Sequence, residues 1–478
     1  MNGSDRIPRR RVGLLAALLV LGGAAPLASQ EAALTLDQAV RVALERNQEL
    51  EVARLELGKS RGQVREAWSS VYPRVDLSTQ YTRNVDAQLS FLPARILDPT
   101  AGEDELVGVR FGSDNVWFNQ VRVEQTVFRA SAFIGVGAAG RYHSLQEEVL
   151  RGATHRVATR VRIAYFDVLV AEEAVRLNEA SLERVRRSFE ETRALHAAGM
   201  VSEYDALRLE VEMRNLEPRV RQARSEALAA RRALAAELGI EDGRAIQVTG
   251  SLGALGAGGD AAAEADAANR ALAAFLARPS PADGGADEAV SAALAGRSDL
   301  RQLALTRELR SAELRAERAE YLPQVSLWGT HTLTAQHDGG PRWFGGLNAS
   351  QRQVGLQVTM PLFSGLQRPA RVQQKRAALD QVAAETRLAR ARAENEVRTL
   401  VEAVEEARER MESQRLAIRV ARRGWEIAAV ENREGIGSQL QVTDAENALR
   451  ETEFNYARAV YDYLVARARL DEATGEAA

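Results

Sequence analysis

V-G-L-Q-V-T-M-P-L-F-S-G, residues 354–365, alternates Val354, Leu356, Val358 and Met360 with Gly355, Gln357 and Thr359. This two-residue period predicts a strand with one apolar and one polar face. Pro361 cannot donate to a ladder and ends the pairing. Beyond Ser364 and Gly365, from near Pro369, the chain enters a long, charged, helical run. The same junction stands earlier, where V-R-V-E-Q-T-V-F, Val121 to Phe128, also leads into a long helical stretch. Phe128 and Phe363 are 235 residues apart, and that spacing recurs along the chain.

The first half begins with a predicted helix over Leu36 to Tyr72. Thr35 and Gln38 form a capping box at its start, and Pro73 stops it. Val75, Leu77, Thr79 and Tyr81 then alternate with Asp76, Ser78, Gln80 and Thr82 as a first strand. Some thirty loop residues follow, including acid-rich Gly102-Glu103-Asp104-Glu105, before a second strand over Trp117 to Val127. From about Ser144 to His196 there is no proline, and Gly152 is the sole glycine. About 50 helical residues would span about 75 Å, which calls for coiled-coil-like packing. A turn at 198–202 leads to a second helix, Glu203 to Leu238, ended by Gly239, with a kink expected at Pro218. Residues 250–286, rich in Gly, Ala, Asp and Pro, read as a loosely ordered linker. The second half repeats the order: a helix over Asp287 to Tyr321, strands from Val325 and at Val354 to Met360, a long helix to Arg433, a turn, and a last helix ending near Gly475. Gly199 and Gly435, Ser202 and Ser438, and Gly239 and Gly475 are each 236 residues apart. The expected division is 1–30, 31–246 (first repeat), 247–286 (linker) and 287–478 (second repeat).

The 478 residues contain no cysteine, which excludes disulfides, thiolate chemistry and a lipidated N-terminal cysteine. The net charge of −3 offers no basic field for nucleic acid. Apolar residues make up 45% but aromatic ones only 5%, a balance set by Ala, Leu and Val in long helices. Arg6, Arg9, Arg10 and Arg11 precede the apolar run Val12 to Leu21 and the small residues Ala24 to Ser29, as in a cleaved export signal. Ten apolar residues are too few for a membrane anchor.

No later segment is long and apolar enough for a membrane helix, so a membrane crossing would use strands. Each half supplies two amphipathic strands of the length that crosses a bilayer when tilted. Four strands cannot close a barrel, and open edges are not tolerated in lipid. Other copies of the chain must complete the sheet: two give eight strands, three give twelve and room for a pore. A soluble four-stranded sheet capped by helices explains neither the export signal nor the two long helices.

The chain resembles the TolC family of outer-membrane efflux channels. The likeness rests on L-T-L-D-Q-A-V-R-V-A-L-E-R-N-Q-E-L at 34–50, Tyr72-Pro73 and Leu322-Pro323, P-L-F-S-G at 361–365, and G-M-V-S-E-Y-D-A-L-R-L-E at 199–210. It implies an α+β membrane protein: a homotrimer with a twelve-stranded transmembrane barrel, four strands per chain, continued by a long α-helical periplasmic barrel. It also implies residence in the outer membrane of a Gram-negative bacterium, and partnership with a periplasmic adaptor and an inner-membrane pump. Nothing singles out a cargo among drugs, metals and secreted proteins.

The two hairpin tips carry the functional signal. Gly199-Met200-Val201-Ser202 and Gly435-Ile436-Gly437-Ser438 each set an apolar side chain among turn residues. Turns need Gly and Ser in any case, but an exposed Met or Ile fits a partner contact, and the resemblance implies adaptor docking there. Where some relatives carry aspartates that constrict the pore, this chain has Ala428, leaving Glu431 and Glu434 as pore-gate candidates. Gly135, Gly137 and Gly140 match G-x-G-x-x-G, but no βαβ succession follows; the expected role is a flexible strand-to-helix junction. His143, His155, His196, His331 and His337 show no metal-ligand spacing, although His331 and His337, flanking a strand end, could meet. No catalytic constellation, cofactor motif or metal site is expected, and the chain reads as a passive exit duct. The rival reading is a trimeric stalk or adhesin-like envelope protein; a hollow tunnel suits the Ala and Arg along Ala378 to Arg423 better than a solid coil does.

Overall fold

Thr35 caps the first helix as expected, its Oγ1 accepting from the Gln38 amide at 3.3 Å while Gln38 Oε1 accepts from the Thr35 amide at 2.9 Å. The computed structural model describes residues 33–476 apart from 87, 98, 101, 103, 105, 242–245, 256–261 and 340–346; the export-signal stretch 1–30 lies outside them. The helix expected over Leu36 to Tyr72 is two helices, α1 (Leu36–Arg46) and α2 (Gln48–Ser69). Asn47 breaks it. Its backbone is extended, its side-chain oxygen accepts from the Glu49 and Leu50 amides, and its side-chain amide donates to the Glu237 carbonyl. A short polar side chain here competes with the helical ladder and starts a new helix instead.

Among the described residues the strands are β1 (Arg74–Arg83), β2 (Gln88–Pro93), β3 (Leu106–Phe111), β4 (Asn115–Phe128), β5 (Gln324–His337) and β6 (Leu347–Thr359). The expected thirty-residue loop thus contains a two-stranded ribbon, β2–β3, which prolongs the β1–β4 hairpin with its register shifted by one residue. The main sheet is antiparallel in the order β1-β4-β5-β6, and β4 with β5 joins the two halves of the chain. The period-2 reading holds across it. In register, Val75, Val123, Gly329 and Val354 share one face, and so do Leu327 and Leu356; Asp76, Arg122, Thr330 and Gln353 share the other.

Leaving β4, the chain enters α3 (Ala130–Ala197), 68 residues or about 100 Å long. It starts well before the expected Ser144, so Gly135, Gly137 and Gly140 are interior helical residues, not a flexible junction. Backbone hydrogen bonding through a helix this long outweighs the modest cost of each glycine. The hairpin returns through α4 (Glu203–Leu238), one uninterrupted helix through Pro218. Within the expected linker, α5 (Ala262–Ala277) buries Leu272 and Phe275 in the main core. A composition of Ala and Gly hides a helix whose few large side chains do the packing.

The second half runs in the order α6 (Ala286–Gly296), α7 (Ser298–Ala319), β5, β6, α8 (Gln367–Arg433), α9 (Gln439–Thr474). α6 and α7 are parted at Arg297, as α1 and α2 are at Asn47. Beyond β6, Leu366 and Gly365 turn the chain with positive φ into α8, and α9 returns. α4 packs on α3, α3 on α9 and α9 on α8, leaving α4 and α8 at the margins of the helical layer. The main core lies midway, where Val161, Phe166 and Leu169 of α3 meet Val460 and Leu464 of α9, closed by α1 and α5.

Candidate functional site

At the end of α3, the Gly199 amide donates to the His196 carbonyl (2.8 Å) and the Met200 amide to the Leu195 carbonyl (2.9 Å). Gly435 and Ile436 repeat the pair at the end of α8, bonding to Asn432 and Glu431 at 3.1 and 3.0 Å. This bonding closes a helix on a left-handed residue; Gly199 and Gly435 supply φ of 75° and 78°. Ser202 and Ser438 then cap α4 and α9, accepting from the Asp205 and Gln441 amides. The two tips are therefore built alike.

In such turns the residue after the glycine often folds back onto its own helix. Here it does not: Met200 is 72% and Ile436 80% exposed, while Val201 and Gly437 are half-buried. The turns explain the glycines and serines. They leave the two large apolar side chains without an internal role.

Glu431 sits in the last turn of α8 and Glu434 is its C-cap residue, both just before the Ile436 tip. Among the described residues, neither carboxylate makes an ion pair or side-chain hydrogen bond. Negative charge at a helix C-terminus is mildly unfavourable, so neither residue serves that end of the helix.

At mid-length a different set of contacts fastens the molecule. The buried Arg467 of α9 donates to the carbonyls of Leu276, Arg278 and Pro279, at the end of α5. Arg162 and Arg467 both lie over the Phe275 ring, 5.7 and 5.5 Å from its centroid. Nearby, burial pushes the Asp471 carboxyl up to about 6, against the pull of Arg467 and Arg162. Further along the hairpins, Glu446 of α9 binds Arg184 and Ser181 of α3, tying one hairpin to the other. The sequence reading missed this fastening, because an arginine that will be buried looks like one on a solvated face.

His331 and His337 do not meet. They lie six residues apart along β5, about 20 Å of extended chain. His143 Nδ1 instead contacts Ser60 Oγ at 2.7 Å. Among the described residues there is no cluster of three or more His, Cys, Asp or Glu suited to a metal ion. A cleft of about 590 Å³ between α3, α7, α8 and α9 contains Arg297, Asp299 and Glu396, bound to one another in ion pairs. Ser298, in the same cleft, donates its hydroxyl to the Glu148 carbonyl.

Two exposed stripes mark the lateral margins. Tyr204, Leu207 and Val211 follow helical spacing along α4, and Leu416, Val420 and Ile427, with Gly424 between, do so along α8. Their spacing was legible in the sequence, but which stripe stays uncovered follows only from the order of packing.

A long paired-hairpin layer, a four-stranded sheet with two polar-apolar faces, and solvent-exposed tips define the architecture of outer-membrane channel subunits. The profile of the Outer membrane efflux protein family matches residues 39–240 and 289–476, and the chain belongs to that family. It is similar to the cobalt-zinc-cadmium resistance protein CzcC of Cupriavidus metallidurans, 30% identical over 120 residues, 25% of this chain and 29% of that protein. The aligned stretch thus spans under a third of that curated relative. The fold is similar to that of a membrane protein from Pseudomonas aeruginosa (TM-score 0.69, 18% identity, 92% of this chain and 90% of the other). It is equally similar to the outer membrane channel CmeC of Campylobacter jejuni (TM-score 0.69, 16% identity, 92% and 86%).

Proposed function

We propose that three copies of this chain form an outer-membrane exit duct of a tripartite efflux or secretion system. The duct has a twelve-stranded barrel in the membrane and an α-helical tunnel below it, each chain contributing two structural repeats. It carries out no chemistry. Cargo is delivered by an inner-membrane pump through a periplasmic adaptor that docks on the tips at 199–202 and 435–438. Residues 1–30 direct export and are removed, and the mature chain is not lipidated.

One observation carries this reading: both layers end in unsatisfied margins on the same two sides. The sheet stops at β1 and β6, whose outer ladder groups are unpaired. The helical layer stops at α4 and α8, each with an exposed apolar stripe. A head-to-tail ring satisfies both at once, β6 against the next β1 and α8 against the next α4. Twelve strands leave a water-filled lumen, whereas eight would be nearly filled by side chains. The Gln- and Thr-rich face of the sheet then lines the pore and the aliphatic face meets lipid.

Purification in detergent, with mass measured by light scattering and conductance in planar bilayers, tests the reading. A trimer of stable single-channel conductance is expected. A monodisperse, water-soluble monomer would sink the proposal.

A further inference from the structure

We propose that Arg352, with His331 beside it, binds the phosphate of a phosphorylated glycolipid in the outer leaflet. This rests on the barrel reading above. Arg352 of β6 stands directly opposite His331 of β5, on the face shared by Val354, Leu356 and Leu327. Directly paired positions hold their Cβ atoms about 4.5–5.5 Å apart. Arg352 is exposed and, among the described residues, makes no hydrogen bond or ion pair; the buried Nδ1 of His331 also lacks a partner.

The lack of a counter-charge is a property of the whole face. Followed through the register, its positions on all four strands hold no aspartate or glutamate. The opposite face neutralises its own cation, Arg122 pairing with Glu124 at 3.2 Å. Ring closure supplies no acid either. The β1 brought beside β6 presents Val75, Leu77, Thr79 and Tyr81 on this face, and then Arg83, a second cation. Among the described strand positions of this face, none therefore offers Arg352 a carboxylate. Its counter-ion must come from the membrane.

Height along the strand says which leaflet. α3 and α8 leave from the other end of the strands, so β6 runs from the outer surface inward. Toward the helices, Val354, Leu356 and Val358 follow Arg352 at successive outward positions. Toward the outside, the Tyr81 and Trp117 rings, tilted 32° to each other with centroids 4.7 Å apart, lie level with Asn348. Four residues separate Asn348 from Arg352, about 13 Å along the strand and about 10 Å in height at barrel tilt. Aromatic pairs of this kind mark the interface, and an arginine stem beneath them lifts its guanidinium toward the headgroups. A guanidinium binds phosphate through two parallel N–H bonds, and His331 supplies a further donor. A zwitterionic headgroup carries its own ammonium beside its phosphate, so an anionic glycolipid is the better match.

The test uses the full mature chain in phosphatidylcholine vesicles containing bisphosphoryl lipid A, dephosphorylated lipid A or neither. The readout is the temperature at which the oligomer dissociates. Bisphosphoryl lipid A alone should raise it. Arg352→Ala with His331→Ala should weaken the apparent lipid affinity about tenfold or more, Arg352→Lys should retain part of the effect, and inward-facing Gln353→Ala should retain all of it. An equal rise in the double alanine variant, with dephosphorylated lipid A, or with inorganic phosphate would overturn the site. Insertion without any Arg352 dependence removes this site alone, whereas failure of the wild type to enter vesicles removes the barrel reading with it.

Discussion

Gly475 and Gly296 meet backbone to backbone: a methyl group on Gly475 would stand 2.9 Å from the Gly296 carbonyl carbon. The contact closes α9 against the end of α6, and Gly239 closes α4 against Arg46 in the same manner, at 2.6 Å from its carbonyl oxygen. Gly475 also has a φ of 84°. Gly475→Ala should cost at least about 1–2 kcal/mol from backbone conformation alone, seen as a lower melting temperature. Gly58→Ala, in open space within α2, should instead gain about 0.5–1 kcal/mol. Equal melting temperatures for the two variants would discount the close approach.

Leu356 lies on the aliphatic face of β6, and its neighbour Gln357 on the polar one. Leu356→Arg near the bilayer midplane is expected to cost about 2–4 kcal/mol and reduce assembled protein in membranes. Gln357→Arg should assemble normally. Equal yields on quantitative blots of the heat-resistant oligomer would reverse the face assignment.

Met200 and Ile436 support neither turn. Changing both to Asp should stop export while leaving assembly and heat resistance unaltered, because each loses a burial worth roughly 1.5–3 kcal/mol in the docked state only. Dye efflux and cross-linking to the adaptor in cells check this. Undiminished efflux with normal cross-linking would leave the tips as plain turns.

Arg467 serves three carbonyls at the end of α5 and lies over Phe275. Arg467→Met keeps the stem but leaves the carbonyls without their donor, at about 1–3 kcal/mol each if they stay buried. Hydrogen exchange should then quicken over 262–277 before it does in α3. Unchanged protection there would show that Phe275 and Leu272 hold α5 unaided.

Burial raises the Asp471 carboxyl to about 6 from an unfolded value of 3.8. The folded state thus holds this proton more tightly, and its contribution falls as pH rises from about 4 to about 6, the loss being complete above that. Asp471→Asn keeps the site neutral throughout. The variant should match wild type near pH 4 and exceed it above pH 6 by about 1–3 kcal/mol, read from urea unfolding at each pH. A gap that widens toward low pH would reverse the sign.

Local periodicity determined much of this protein. The alternation at 354–360 and 75–82, the prolines that end helices before strands and the glycine–serine tips each depend on neighbours a few positions apart. The order of elements and both hairpin tips were therefore legible without coordinates. Elements that depend on distant partners were not. Asn47 breaks a helix partly because Glu237 offers it a carbonyl, and α5 is held by Phe275 between Arg162 and Arg467, nearly 200 residues away on one side. The separation of His331 and His337 and the pairing of His331 with Arg352 depend on strand register, which is set across β4, β5 and β6 together. Short-range sterics and hydrogen bonding write the elements into the sequence; burial and charge compensation exist only once remote segments are side by side.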